Sequence, residues 1–209
     1  GGGDAATKKK SVARRKARLA KRYIAFVSHC KGDAGTSALL FKGLLAKHAG
    51  VTEDVIFLDS DDLHDLQNLL RAVRESNTLV VLLSEHYFSR PWCLLELWVA
   101  VSEGKTILPV ILKGPDSPSF DFNAAQAYVK DLGNAPHIDE DCMELLEKHC
   151  ASIAEVQSAV QRVLEIIAKP YQTTASKNVR EAELSDICAQ LDISGFSSGV
   201  HLNCVCLVM

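Results

Sequence analysis

Four short apolar runs, each followed by a polar loop and then by a helix-periodic stretch, constrain this chain more than any other feature. The runs are Tyr23-Ile24-Ala25-Phe26-Val27-Ser28, Val55-Ile56-Phe57-Leu58, Thr78-Leu79-Val80-Val81-Leu82-Leu83-Ser84 and Thr106-Ile107-Leu108-Pro109-Val110-Ile111-Leu112. They are apolar almost throughout rather than on alternate residues, as strands buried on both faces must be. Strand, helix, strand, helix in sequence predicts an α/β domain with a parallel sheet, helices on both faces and right-handed crossovers. Such folds gather their sites beyond the carboxyl ends of the strands. Ser28-His29, Asp59 to Asp62 and Ser84 to Glu96 all fall there, so three polar clusters converge on one rim.

The connecting helices follow from spacing and punctuation. The first is expected from Asp33 or Thr36, both candidate caps, to about Lys47. Leu39, Leu40, Leu44 and Leu45 form its buried side, and His48-Ala49-Gly50 ends it. The second spans Leu66 to Glu75, with Leu66, Leu69, Leu70 and Val73 at helical spacing. Pro109 fits the fourth strand best near a sheet edge or bulge. Beyond it, helices are expected over 124–132, 142–149 and 153–167, the last closed by Lys169-Pro170, with a further one over 181–191. No fifth strand is evident between Leu112 and Ile153. The expected organisation is a basic arm over 1–21, an α/β domain over 22–169 and a C-terminal extension over 170–209.

The third helix carries an unusual pattern. From Pro91 to Ser102 its only charged residue is Glu96, with Trp92 one turn earlier on the same face. Pro91 suits the first helical position, where its missing N–H is not needed. By pattern alone Glu96 belongs on the wet side of a half-buried helix. The sharper reading is an acid held beside an indole in a pocket, where burial raises its pKa and a cation or ligand offsets the cost.

Composition removes several function classes. The chain has 209 residues and a formal net charge of −3, against a general nucleic-acid binder. The positive charge crowds into the arm, from Lys8 to Arg22, which reads as a solvated helix or tail. Its Gly-Gly-Gly start without Met reads as a cut end of a longer protein. Seven cysteines, an odd number, and no signal peptide argue against a disulfide framework and for a reducing, cytoplasmic setting. No dinucleotide fingerprint, phosphate loop or nucleophile elbow is present. His29 and Cys30 are adjacent on an extended strand end, so they point apart and make a poor thiol–imidazole pair. Asp59, Asp61 and Asp62 have the chemistry for Mg²⁺, but an exposed acidic loop is the simpler reading. No metal site or cofactor is expected. The chain ends Cys206-Leu207-Val208-Met209, a farnesylation pattern if that end is native, with Cys204 placed for a second acyl anchor and hence membrane contact.

Taken together these segments resemble a Toll/interleukin-1 receptor (TIR) domain. The residues that carry the likeness are Tyr23 to His29, Val55 to Leu63, Leu79 to Ser84 followed by Trp92-Cys93-Leu94-Leu95-Glu96-Leu97, and Thr106 to Leu112. They stand in order across about residues 22–168. The likeness is to plant, protist and bacterial-type members. It implies a flavodoxin-like sheet and signalling by homotypic self-association, as in innate immunity. It also implies, for many members, hydrolysis of NAD⁺ at the nicotinamide–ribose bond to give ADP-ribose or a cyclic product. NAD⁺ is then substrate, not cofactor. The essential glutamate of those members falls on Glu96, and the tryptophan one turn earlier on Trp92. Pocket positions fall on Ser28, His29 and Asp61. Two departures stand out: the usual glycine is missing from Leu63 to Gln67, and position 30 is Cys where some enzymatic members carry Arg. A non-enzymatic TIR scaffold is the alternative. A receiver-like phospho-acceptor at Asp59 is weaker, because Lys113 follows the fourth strand rather than a fifth.

Overall fold

The strands assemble in the order β2-β1-β3-β4-β5, all parallel. They are β1 (Tyr23–His29), β2 (Ile56–Leu58), β3 (Ser76–Leu83), β4 (Thr106–Lys113) and β5 (Lys169–Gln172). This computed structural model describes residues 22–59, 66–114, 120–135, 138, 140–149, 152–193 and 196. The basic arm, Asp61, Cys204 and Cys206 lie outside the described residues.

Seven helices cover the two faces among the described residues: α1 (Lys31–Ala49), α2 (Leu66–Glu75), α3 (Pro91–Ser102), α4 (Phe122–Lys130), α5 (Glu140–Lys148), α6 (Ile153–Leu164) and α7 (Lys177–Cys188). Strand alternation divides the core between them. Phe26, Leu79, Val81 and Leu83 face one layer with Leu94, Leu97, Val156 and Val160. Val27, Val80, Leu82 and Val110 face the other with Ala38, Phe41, Leu184 and Ile187. This is the flavodoxin-like order expected from the resemblance. Its strand order reverses at β1 and β3, where such sheets open a crevice.

Several local expectations are corrected. The first helix starts earlier, at Lys31, with Cys30 as its cap residue, because the Cys30 carbonyl already accepts the Asp33 and Ala34 N–H groups. It lies on small residues, Ala34 and Ala38, with Phe41, Leu45 and Ala46. Leu39 and Leu40, expected inside, are 61% and 51% exposed. The helix expected over 153–167 stops at Leu164, and Ile167 is 90% exposed. Its start is firm: Ser152 and Glu155 form a reciprocal capping box.

The chain then adds the strand that the sequence hid. The expected domain boundary at residue 169 falls inside β5, whose only buried residue, Tyr171, packs edge-on to Phe41 at 5.0 Å. Pro170 is tolerated because β5 is the sheet edge. Pro109 has a related position: β4 pairs with β5 only from Val110 onward, so at Pro109 that flank of β4 carries no partner strand. Helix α7 then buries Leu184 and Ile187 in the α1-side core, so β5 and α7, within the segment expected as extension, pack with the domain.

Candidate functional site

Glu96 is buried, 3% exposed, which overturns its placement on a wet helix face. The reason lies in β1. Ser28 follows Phe26 on the α3-facing side of the strand, at its carboxyl end. Its hydroxyl donates to Glu96 Oε2 at 2.5 Å. The Ser28 oxygen also stands 2.6 Å from the Tyr87 hydroxyl. Since the single Ser28 proton goes to the carboxylate, the Tyr87 O–H is the donor in the second bond. Three side chains from β1, the β3–α3 turn and α3 form one buried chain of hydrogen bonds.

Burial pushes the Glu96 carboxyl from 4.5 up to about 8. Ser28 donation pulls against this, Asp59 adds to it by repulsion, and Lys31 opposes it by attraction. Lys31 and Asp59 form their own ion pair at 3.5 Å, at the start of α1 and the end of β2. The site therefore carries one fixed cation, one fixed anion and one carboxyl poised near neutral pH.

The other residues singled out in the sequence sit around it unevenly. His29 is the last residue of β1, buried, and strand alternation sends its Cβ away from that of Ser28. Its carbonyl accepts a weak bond from Cys93 Sγ at 3.4 Å, tying β1 to α3. Trp92 is half-buried in the first turn of α3, packed against the apolar cluster. Burial raises the thiols of Cys30 and Cys93, so both are held as neutral thiols and neither has the character of a nucleophile. Among the described residues no three His, Cys, Asp or Glu side chains gather as a metal site requires.

Two contributors escape a linear reading. Tyr87 lies in a 3₁₀ turn, Tyr87–Ser89, and sits nine positions before Glu96, a spacing that marks no shared helix face. Asp33, expected as a helix cap, instead reaches across to that turn. It accepts the His86 backbone N–H at 2.8 Å and stands 3.0 Å from the His86 ring. A cleft of about 460 Å³ adjoins the turn, lined by Phe88, Phe120 and Tyr128 with Glu85 and Asp121. It contains none of the residues singled out in the sequence.

The TIR domain family model matches residues 25–146, more than half of the chain. The chain belongs to the TIR domain family. Among solved structures, this TIR domain is similar to the TIR domains in the structure of the activated Roq1 resistosome directly recognizing the pathogen effector XopQ. The likeness has a TM-score of 0.50 at 18% identity, covering 79% of this chain and 96% of that one. At that identity it speaks for the fold. No curated protein sequence matches. The family match ends before α6, β5 and α7, so the sheet's last strand lies outside the matched stretch.

Proposed function

We propose that this TIR domain cleaves NAD⁺ at the nicotinamide–ribose bond, with Glu96 as the catalytic carboxylate. The observation that carries the reading is the buried Glu96 carboxyl bonded to Ser28 at the carboxyl ends of the strands, beside the β1–β3 switch point. Departure of nicotinamide leaves an oxocarbenium-like ribose. A carboxylate against that carbon stabilises the positive charge, as in glycoside hydrolysis. The bound substrate already carries a pyridinium cation, which favours ionisation of the neighbouring acid. With the carboxyl pushed up to about 8, binding of that cation would favour its ionisation. Trp92 supplies a ring to stack on a planar group. His29 and Asp61 are assigned to ribose or nicotinamide contacts, and Lys31 balances the added charge. Water or an internal adenine nitrogen then takes the ribose carbon, giving linear or cyclic ADP-ribose.

A second reading is a scaffold that signals through homotypic TIR association without chemistry. The pair Leu39 and Leu40, exposed side by side on α1, favours self-association. The two readings separate in one experiment: wild type and Glu96→Gln are clustered on beads with NAD⁺ and free nicotinamide is followed. Glu96→Gln is expected to lose about a hundredfold or more in rate while still associating. Equal nicotinamide release from both, or none from wild type, overturns the catalytic reading.

A further inference from the structure

The hydrogen-bond chain through Ser28 has a direction, and the direction is set by a residue with no role in the reading above. Tyr87 is fully buried, and its hydroxyl can reach Ser28 only because the turn that carries it is fixed in place. That fixation is visible. Asp33 of α1 holds the next residue upstream, His86, through both its backbone N–H and its ring. Phe88, the next residue downstream, packs edge-on against Tyr87 at 5.2 Å and gives its carbonyl to the Tyr128 hydroxyl at 3.1 Å. The turn is thus gripped on both sides of Tyr87.

We propose that Tyr87 is the positioning residue of the site: by donating to Ser28 it makes Ser28 a one-way donor and so fixes the place and charge state of Glu96. The inference rests on Glu96 being the working group of the site. Its physical content is simple. If the Ser28 oxygen accepted from both Tyr87 and a protonated Glu96, its own buried proton would need another acceptor, whereas donation to the carboxylate uses that proton at once. A serine whose oxygen is so polarised is also a better donor to the carboxylate. Both effects favour the ionised acid. The groups that act on Glu96 are Ser28 from β1, Asp59 from the end of β2 and Lys31 at the start of α1. Glu96 itself acts on Tyr87 in the turn and on Cys93 at the start of α3. Ser28 reaches the carboxyl directly at 2.5 Å, and Tyr87 reaches it through Ser28 at 2.6 Å. The phenol itself stays neutral, since burial drives it well above its usual range.

The test reads Glu96 directly. Protein labelled with ¹³C at the glutamate carboxyls and the tyrosine ring carbon bearing oxygen is titrated by NMR, with Glu96 assigned by loss of its signal in Glu96→Gln. Ser28→Ala is expected to raise the Glu96 midpoint by about one pH unit, the worth of one hydrogen bond to a charged group, and Tyr87→Phe by about half that. In the wild type, the Tyr87 ring carbon should shift with the same midpoint as Glu96, a readout that needs no variant. The acid limb of the nicotinamide-release pH profile should move to higher pH in step with the carboxyl. A Tyr87→Phe midpoint equal to wild type, or a Tyr87 signal flat through the Glu96 titration, overturns the proposal. If the midpoints move as expected but wild type releases no nicotinamide at any pH, the positioning role stands and the catalytic reading falls.

Discussion

Two acids, Asp33 and Glu96, sit within one rim of this fold and are treated in opposite ways. Both side chains are largely covered: Asp33 is 8% exposed and Glu96 3% as a whole residue. Burial raises both. For Asp33 the backbone N–H and ring of His86 outweigh that cost, and its carboxyl is held below the usual value. For Glu96 one serine donor and a more distant lysine do not, and the carboxyl rises to about 8. The difference is in both depth and donors: Asp33 lies near the surface, where His86 and Ser84 favour its charged form, whereas Glu96 lies in the interior with one hydroxyl. An acid that meets a backbone N–H and an imidazole ring is held as an anion that ties α1 to the β3–α3 turn. An acid given one hydroxyl is left with a proton to lose.

The strongest way to break this comparison is the pH dependence of stability. Glu96 keeps its proton to about pH 8 in the folded chain but loses it near 4.5 when unfolded. The folded state therefore binds more protons across that window, and stability falls as pH rises through it. Glu96→Gln removes this linkage. Denaturant unfolding should show the variant gaining on wild type by on the order of 3–5 kcal/mol between pH 4 and pH 9, alongside its loss of nicotinamide release. Parallel stability curves for the two proteins would show Glu96 to be an ordinary ionised acid.

Asp33 carries the opposite sign. Its contribution is complete above its unfolded value of 3.8 and disappears as pH falls through the lower folded value. Asp33→Asn should cost about 1–3 kcal/mol at pH 7, with the deficit closing in strong acid. A deficit unchanged at low pH would assign the effect to packing instead of charge. His86→Ala leaves the backbone N–H bond in place, so about 0.5–1.5 kcal/mol is expected, measured in the same way. Smallest is the remote pair: Lys31→Met should raise the Glu96 midpoint and Asp59→Asn lower it, because the first removes an attraction and the second a repulsion. Movement in the reverse sense would place some other group in control of the carboxyl.

How much of this was legible in the sequence follows from how local each signal is. The first four strands, including the short β2, announce themselves as unbroken apolar runs, and their order fixes the rim. β5 does not, because an edge strand of four residues with one buried side chain has neither apolar run nor alternation to show. The buried side of α1 was misread because the helix lies close to the sheet on alanines, which leaves its larger Leu39 and Leu40 outside. Glu96 could be singled out as a lone charge on an apolar helix, and the family likeness drew attention to Ser28. The hydroxyl of Tyr87 and the clamp from Asp33 could not be read, since their partners stand 59 and 53 positions away.

The late arrival of β5 has a practical corollary. The rung that finishes the sheet is made by the last third of the chain and is pinned there by α7, through the Gln172 amide bonded to Glu183 and by Leu184 and Ile187 beneath. A fragment trimmed to the family-matched stretch would lay bare the flank of β4 from Val110 to Lys113 and one face of Phe41. Open sheet margins of that sort recruit neighbouring chains, so any clustering seen with a shortened protein would report a missing edge before it reported signalling.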